Sequence, residues 1–269
     1  MLRVRLFAAL VFALAACPLA VPAQPYAPAT PVPRSTDPAV LQRLIAAREV
    51  HERFARGLAA EDRGAWADAV DEFERIIALG PPEPANSTAR YDAAIADAHL
   101  GRYDRAEILL QEALVRDPGF AAAAANLVSV AIAAGDRRAA RAAADRFVAL
   151  VPASARARYQ RGLVALDAGD TTTAAGDFRA LLADDPTYAL AHYDLGLVEV
   201  RANRLDAAEA EFERALALSP GYARARFALG TVLVRQGRRG EARAAFDRAA
   251  RDAADPALHD LALTVRDQL

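Results

Sequence analysis

His51 and Glu52 stand side by side, as they do in the H-E-x-x-H pattern, where two histidines one helical turn apart hold zinc and the glutamate serves as base. The second histidine is missing, because position 55 is alanine. The remaining histidines, His99, His192 and His259, are not paired at helical ligand spacing. Cys17 is the one cysteine, so neither a disulfide nor a thiolate metal cluster can form within the chain. The serines are Ser35, Ser87, Ser129, Ser154 and Ser219, and none lies in the glycine-flanked turn that exposes a nucleophile. Adjacent carboxylates such as Asp184-Asp185 fall where helices end, and capping accounts for them. No lysine occurs, which removes the phosphate-loop lysine and Schiff-base chemistry. The expectation is a protein that is not an enzyme and has no cofactor and no metal.

The charge balance points the same way. The 269 residues carry 33 basic groups, all arginine, and 35 acidic groups, a net charge of −2. That balance gives no long-range basic field, so no nucleic-acid partner is expected. Arg235, Arg238, Arg239 and Arg243 form one basic cluster. It reads as a solvated turn interleaved with Glu241 and Asp247, or as a seat for an anionic headgroup or phosphate.

The elements that must carry any binding surface are set by a repeat. Pro118, Pro152, Pro186 and Pro220 stand 34 residues apart, which indicates stacked copies of one supersecondary unit. Other columns share the register. Alanine recurs at Ala69, Ala106, Ala140, Ala174, Ala208 and Ala242. A bulky residue recurs at Phe73, Leu110, Phe178, Phe212 and Phe246, with Ala144 in the third copy. Glycine recurs at Gly57, Gly162, Gly196 and Gly230, with Ala94 and Val128 in the other two. Each copy holds two apolar-periodic segments of helical length. In the fifth copy they run over about 189–202 and 205–218, with Asn203 at the turn. The small residues let two helices cross closely while the phenylalanine fills the space beside the crossing. Each proline is expected to end a second helix and open the next at its first position. Asp117, Asp185, Ser219 and Asp255, each just before a proline, would then cap that next helix.

These columns resemble the tetratricopeptide repeat (TPR), which places small residues at positions 8, 20 and 27, an aromatic at 24 and proline at 32. The fifth copy matches with Gly196, Ala208, Phe212, Ala215 and Pro220, and the resemblance covers about residues 50–256. The family's tryptophan at position 4 is replaced by Arg53, Arg90, Ala124, Arg158, His192 and Arg226, and its tyrosine at position 11 is absent. The resemblance implies an all-α fold: a right-handed α-solenoid of about six TPR hairpins near 50–83, 87–120, 121–154, 155–188, 189–222 and 223–256. The solenoid as a whole would run over 38–256, including a long entry helix from Pro38 to about Asp62, with a capping helix over 257–269.

In this family the first helix of each hairpin lines a concave groove. The implied peptide- or protein-binding residues are Phe54, Tyr91, Tyr159, Leu163, Tyr193, Leu197, Arg201, Arg224 and Phe227. Position 5 supplies an aromatic ladder and position 9 an aliphatic one. Arg156, Arg201, Arg224 and Arg235 would meet an acidic or carboxylate-bearing ligand. The same aromatics also suit packing between first helices, which is the alternative reading of that column.

Residues 1–23 read as an export signal: Arg3 and Arg5, then an apolar run from Leu6 to Ala16 too short to span a bilayer. Two processing sites are open. Leu14-Ala15-Ala16-Cys17 resembles a bacterial lipobox, with lipidation at Cys17 and an outer-membrane anchor. Val21-Pro22-Ala23 suits ordinary cleavage before Gln24. A proline-rich linker follows over 24–37. The location expected is therefore exported and periplasmic, either free or as an outer-membrane lipoprotein. The function expected is a non-catalytic scaffold of the bacterial envelope that takes a protein or peptide partner in its groove. Its type resembles lipoproteins that assist pilus, secretin or outer-membrane assembly. The alternative is a self-associating structural solenoid without peptide capture.

Overall fold

The computed structural model describes residues 37–269; the expected export signal, Cys17 and most of the proline-rich linker lie outside them. Among the described residues the chain forms thirteen α-helices and no strand. None of these helices is long and apolar enough to cross a membrane. The chain divides into two compact units, the first ending at Pro152 and the second spanning Ala153–Leu269. Each is built as an α-solenoid of helical hairpins.

The first unit holds α1 (Pro38–Asp62), α2 (Trp66–Leu79), α3 (Ala85–His99), α4 (Tyr103–Arg116), α5 (Ala121–Ala134) and α6 (Arg137–Leu150). The second holds α7 (Ala155–Ala168), α8 (Thr171–Asp184), α9 (Ala189–Arg201), α10 (Leu205–Leu218), α11 (Ala223–Arg235), α12 (Arg239–Asp252) and α13 (Pro256–Asp267). Odd-numbered helices from α1 to α11 are the first helices of their hairpins.

Each hairpin crosses at the glycine–phenylalanine column. A Cβ built on Gly57, Gly162 or Gly196 would stand 2.6, 2.6 or 2.5 Å from Cε1 of Phe73, Phe178 or Phe212. All three rings are wholly buried. Gly230 meets Phe246 in the same way, while the second and third hairpins keep the space filled by different pairs. Ala94 goes with Leu110, and Val128 goes with Ala144, all four at 0% exposure. The alanine-dense third copy therefore exchanges the large and small positions across the crossing and keeps the space filled.

The turn inside each hairpin follows a column of its own. Gly64, Gly101, Gly135, Gly169 and Gly237 have positive φ, and Asn203 takes the same left-handed conformation at φ 59. The following amide then reaches back to close the first helix, as in Ala65 N to Ala60 O at 2.8 Å and Arg204 N to Glu199 O at 2.9 Å.

Between hairpins the prolines act differently from the expectation. Pro118, Pro186 and Pro220 sit inside turns, not at the first position of the next helix. The turns close by Phe120 N to Asp117 O (3.1 Å), Tyr188 N to Asp185 O (3.4 Å) and Tyr222 N to Ser219 O (3.0 Å), with proline second of the four residues. Asp117 and Asp185 consequently do not cap the following helix. Their Oδ1 atoms accept from Gly119 N (3.0 Å) and Thr187 N (2.9 Å) within the turn. Reversing the chain between two antiparallel helices needs those extra residues, and a fixed φ near −65° suits that second turn position. The expected cap does hold at Asp255, whose side chain accepts from Ala257 N with Pro256 opening α13.

Candidate functional site

In five of the six hairpins the residue that stands in for the family's tryptophan is paired with a carboxylate. Where the tryptophan is absent, Arg53 meets Glu72 at 3.1 Å, Arg90 meets Glu112 at 2.8 Å, Arg158 meets Asp184 at 2.8 Å and His192 meets Glu211 at 2.7 Å. Arg226 pairs with Asp252 in the last hairpin. Each pair ties the first helix of a hairpin to its second. Where the tyrosine is absent, two buried carboxylates appear. Asp97 faces Arg102 at 3.3 Å and Arg105 at 3.1 Å, and Glu199 faces Arg179 at 2.6 Å and also Arg204. Arginine suits this work because its fork holds a carboxylate while its stem covers apolar surface.

Each unit has aromatics at position 5, and they lie mostly inside. Phe54, Tyr91, Tyr193 and Phe227 are 2–6% exposed, and Leu197 is buried as well. Tyr159, Leu163 and Arg224 are half-buried, and Arg201 is exposed. Each buried ring packs on an aromatic neighbour: Phe54 on Phe73 (centroids 6.1 Å apart), Tyr91 on Phe120 (5.0 Å), Tyr193 on Phe212 (5.9 Å) and Phe227 on Phe246 (5.1 Å). These rings pack between helices and expose little surface of their own.

In the second unit a further pair of rings joins the ladder. Tyr188 lies edge-on to Tyr159 at 5.5 Å, and Tyr222 lies 5.0 Å from Tyr193. Sequence reasoning missed both. Their signal was present, since an aromatic recurs two residues after the proline at Phe120, Tyr188 and Tyr222.

Polar groups run beside the rings with a register of 35 residues. Asn126 Nδ2 donates to Tyr91 Oη at 2.8 Å in the first unit, and Tyr159 Oη donates to Asp194 Oδ2 at 2.8 Å in the second. Burial pushes the Asp194 carboxyl up to about 7, with the Tyr159 hydrogen bond pulling the other way. Burial and then the nearby Asp194 charge raise Tyr159 above the ordinary tyrosine value. One step further along, the partner position is Ala228, and the buried Tyr193 hydroxyl has no hydrogen-bond partner among the described residues.

The arginines nominated for an acidic ligand divide by role. Arg201 donates to the Leu166 carbonyl and Arg235 to the Val200 carbonyl at 3.4 Å, each closing the end of the preceding first helix. Arg235 also donates to Asn203 Oδ1 at 2.6 Å, and Arg238 pairs with Glu209 and Glu241, both at 2.6 Å. Half of the basic cluster is thus held in intramolecular contacts. Arg224 is half-buried beside Tyr193 and Tyr222 and has no ion pair among the described residues. Leu190, on the same face of the neighbouring first helix, is 45% exposed. Among the described residues no group of three or more His, Cys, Asp or Glu side chains is placed to hold a metal ion.

These hairpins define a class, and comparison with known families agrees. A family model described as tetratricopeptide repeat matches residues 39–84, 54–121, 125–189 and 193–257, and a second so described matches 165–214. The chain belongs to the tetratricopeptide repeat family. Solved structures of similar fold include a TPR protein from Parabacteroides merdae, 16% identical over 82% of this chain and 86% of that one, with a TM-score of 0.73. MamA is similar at 26% identity over 59% of this chain and 93% of its own, with a TM-score of 0.55. YrrB, described as a TPR protein with an unusual peptide-binding site, is 18% identical over 74% of this chain and all of its own, with a TM-score of 0.58. No curated protein matches the sequence.

Proposed function

We propose that this chain is a non-catalytic protein-interaction scaffold whose second unit takes a peptide or helix along the first-helix face of α7, α9 and α11. The observation that carries the reading is the surface left on that face. Leu190 is 45% exposed, Arg224 has no ion pair among the described residues, and the first helix α7 carries the half-buried Tyr159 and Leu163. An apolar side chain, aromatic edges and two arginines without ion pairs among the described residues, Arg156 and Arg224, form a surface suited to an amphipathic segment with an acidic end. Family membership supports it, since the tetratricopeptide fold suggests a protein-interaction scaffold. The bacterial envelope is the proposed place of work, on the export reading of residues 1–23, as a free periplasmic protein or a lipoprotein at Cys17. Assembly of pilus, secretin or outer-membrane components is the role proposed there.

The test is a peptide selected from a displayed random library against the whole chain. Leu190→Asp and Arg224→Glu each introduce a repelling charge on this face and should weaken such a peptide about tenfold or more. Thermal melts of both variants should stay close to the parent, because neither side chain is buried. A peptide bound equally well by both variants would place recognition elsewhere.

A further inference from the structure

Where the second and third hairpins meet at their turn ends, the first unit holds a cavity of about 460 Å³. Residues 101–105, running from the α3–α4 turn into α4, form one wall. Ala133 and Ala134, at the end of α5, form the other. Three 34-residue repeats further on, the chain fills the equivalent place itself. Arg235 and Gln236 stand there in the register of Ala133 and Ala134. Arg235 donates to the Val200 carbonyl at 3.4 Å and to Asn203 Oδ1 at 2.6 Å. Gln236 Nε2 donates to Asp206 Oδ1 at 3.0 Å and to Glu209 Oε2 at 2.9 Å. Arg238 pairs with Glu209 at 2.6 Å. Arg201, in the same column as Arg235, makes the same crossing to the Leu166 carbonyl.

The first unit keeps the acceptors of this arrangement and loses its donors. Asp104 and Glu107 stand in the register of Asp206 and Glu209, and Ala98 in that of Val200. The donors Arg235, Gln236 and Arg238 are replaced by Ala133, Ala134 and Asp136. Asp104, on the cavity wall, has neither a hydrogen bond nor an ion pair among the described residues. Glu107 follows it by one helical turn and accepts from Gln111 Nε2 at 2.9 Å. Burial, then the Asp136 and Asp104 charges, hold the Glu107 carboxyl above its usual value. Asp136 itself caps α6 by accepting from Ala139 N at 2.9 Å, and it adds no donor. The two cations on the wall are already engaged. Arg102 and Arg105 hold Asp97 at 3.3 and 3.1 Å, and Arg105 pairs with Glu74 as well. A group that carries several N–H donors and a positive charge suits such a place, and a guanidinium carries five donors.

We propose that the cavity beside Ala133 and Ala134 receives an arginine side chain of a basic partner segment, with its guanidinium on Asp104 and the turn at Gly101. The partner thereby supplies the group that Arg235 supplies from within the chain in the second unit. The site belongs to the first unit and does not depend on the peptide-binding reading of the second.

The experiment titrates Nα-acetyl-arginine amide into the isotope-labelled whole chain and follows the backbone amides of Gly101, Asp104 and Ala133 by NMR. These signals should shift together and saturate at millimolar probe, while those of Asn203 and Arg235, where the place is taken, stay still. Ala133→Arg supplies the side chain from within and should abolish the response. Ala133 is exposed, and arginine is nearly as good a helix former as alanine, so this variant should melt close to the parent. Asp104→Asn, also at an exposed position, should weaken the response about tenfold, as loss of one charge-assisted partner does. Nα-acetyl-citrulline amide has the same shape without the charge and should leave the signals in place. The proposal is overturned by an unchanged response in either variant, by an equal response to the citrulline probe, or by shifts that do not saturate. A tighter response to inorganic phosphate than to the arginine probe would overturn it too, making the cavity an anion seat on Arg102 and Arg105.

Discussion

Gly196→Ala should destabilise the second unit by about 1–3 kcal/mol, although alanine is the better helix former. The added Cβ would lie 2.5 Å from Cε1, 2.7 Å from Cδ1 and 3.0 Å from Cζ of Phe212. That ring is wholly buried and also packs against Tyr193, so it has no room to swing aside. The helix-propensity gain of roughly 1 kcal/mol in the substituted residue is outweighed by the clash, because one ring edge must move against a filled core. Adding Phe212→Leu should recover most of the loss. It recreates the Ala94–Leu110 combination that the second hairpin already uses at full burial. A double-mutant cycle by urea denaturation should give a favourable coupling of about 1–3 kcal/mol between the two sites. Gly230→Ala should cost less, since its nearest approach to Phe246 is 2.9 Å. A neutral Gly196→Ala, or a double variant no better than the single, would refute the crossing argument.

The crossing was legible in the sequence because it depends on residue volume at a fixed spacing, and both are visible in one chain. The same holds for the helix spans near Ala189 and Leu205. The turn chemistry was less legible. Asp-Pro can open a helix, as at Asp255, or sit in a reverse turn, as at Asp117. The dipeptide is the same, and the outcome depends on how many residues remain before the next helix. The groove was the least legible part. Tyr91, Tyr193 and Tyr159 occupy one column, yet two are buried and the third is half-buried. Each meets a ring two residues past the proline, and the residues 35 further on differ: Asn126, Ala228 and Asp194. Those contacts run between hairpins, and single-helix periodicity does not show them. The pairs that replace the missing tryptophan lie 19 to 26 residues apart across a hairpin and were hidden for the same reason.

The second unit should lose stability as pH rises from about 4 to 7, and Asp194→Asn should remove most of that dependence. In the folded chain the Asp194 carboxyl is pushed up to about 7 by burial, whereas an unfolded aspartate titrates near 3.9. Between those values the folded state holds a proton that the unfolded state has released. Stability therefore falls with rising pH across that window and is flat above it, where both states are ionised. Three pKa units correspond to about 4 kcal/mol as an upper bound, so a gain of about 2–4 kcal/mol at pH 8 is expected for Asp194→Asn. Asparagine keeps an Oδ1 to accept the Tyr159 hydroxyl, so the hydrogen bond survives and only the buried charge is removed. The gain should shrink as pH falls toward and below 4, as the parent becomes protonated in the unfolded state as well. Tyr159→Phe should act in the opposite sense. It deletes the donor that favours the ionised Asp194, so its cost should be larger at pH 8 than at pH 5. Amide exchange across α9 and α10 of the parent and both variants at the two pH values reads these effects on the second unit alone. Parallel pH profiles for the parent and Asp194→Asn would mean that Asp194 ionises in the folded chain as an ordinary carboxylate does.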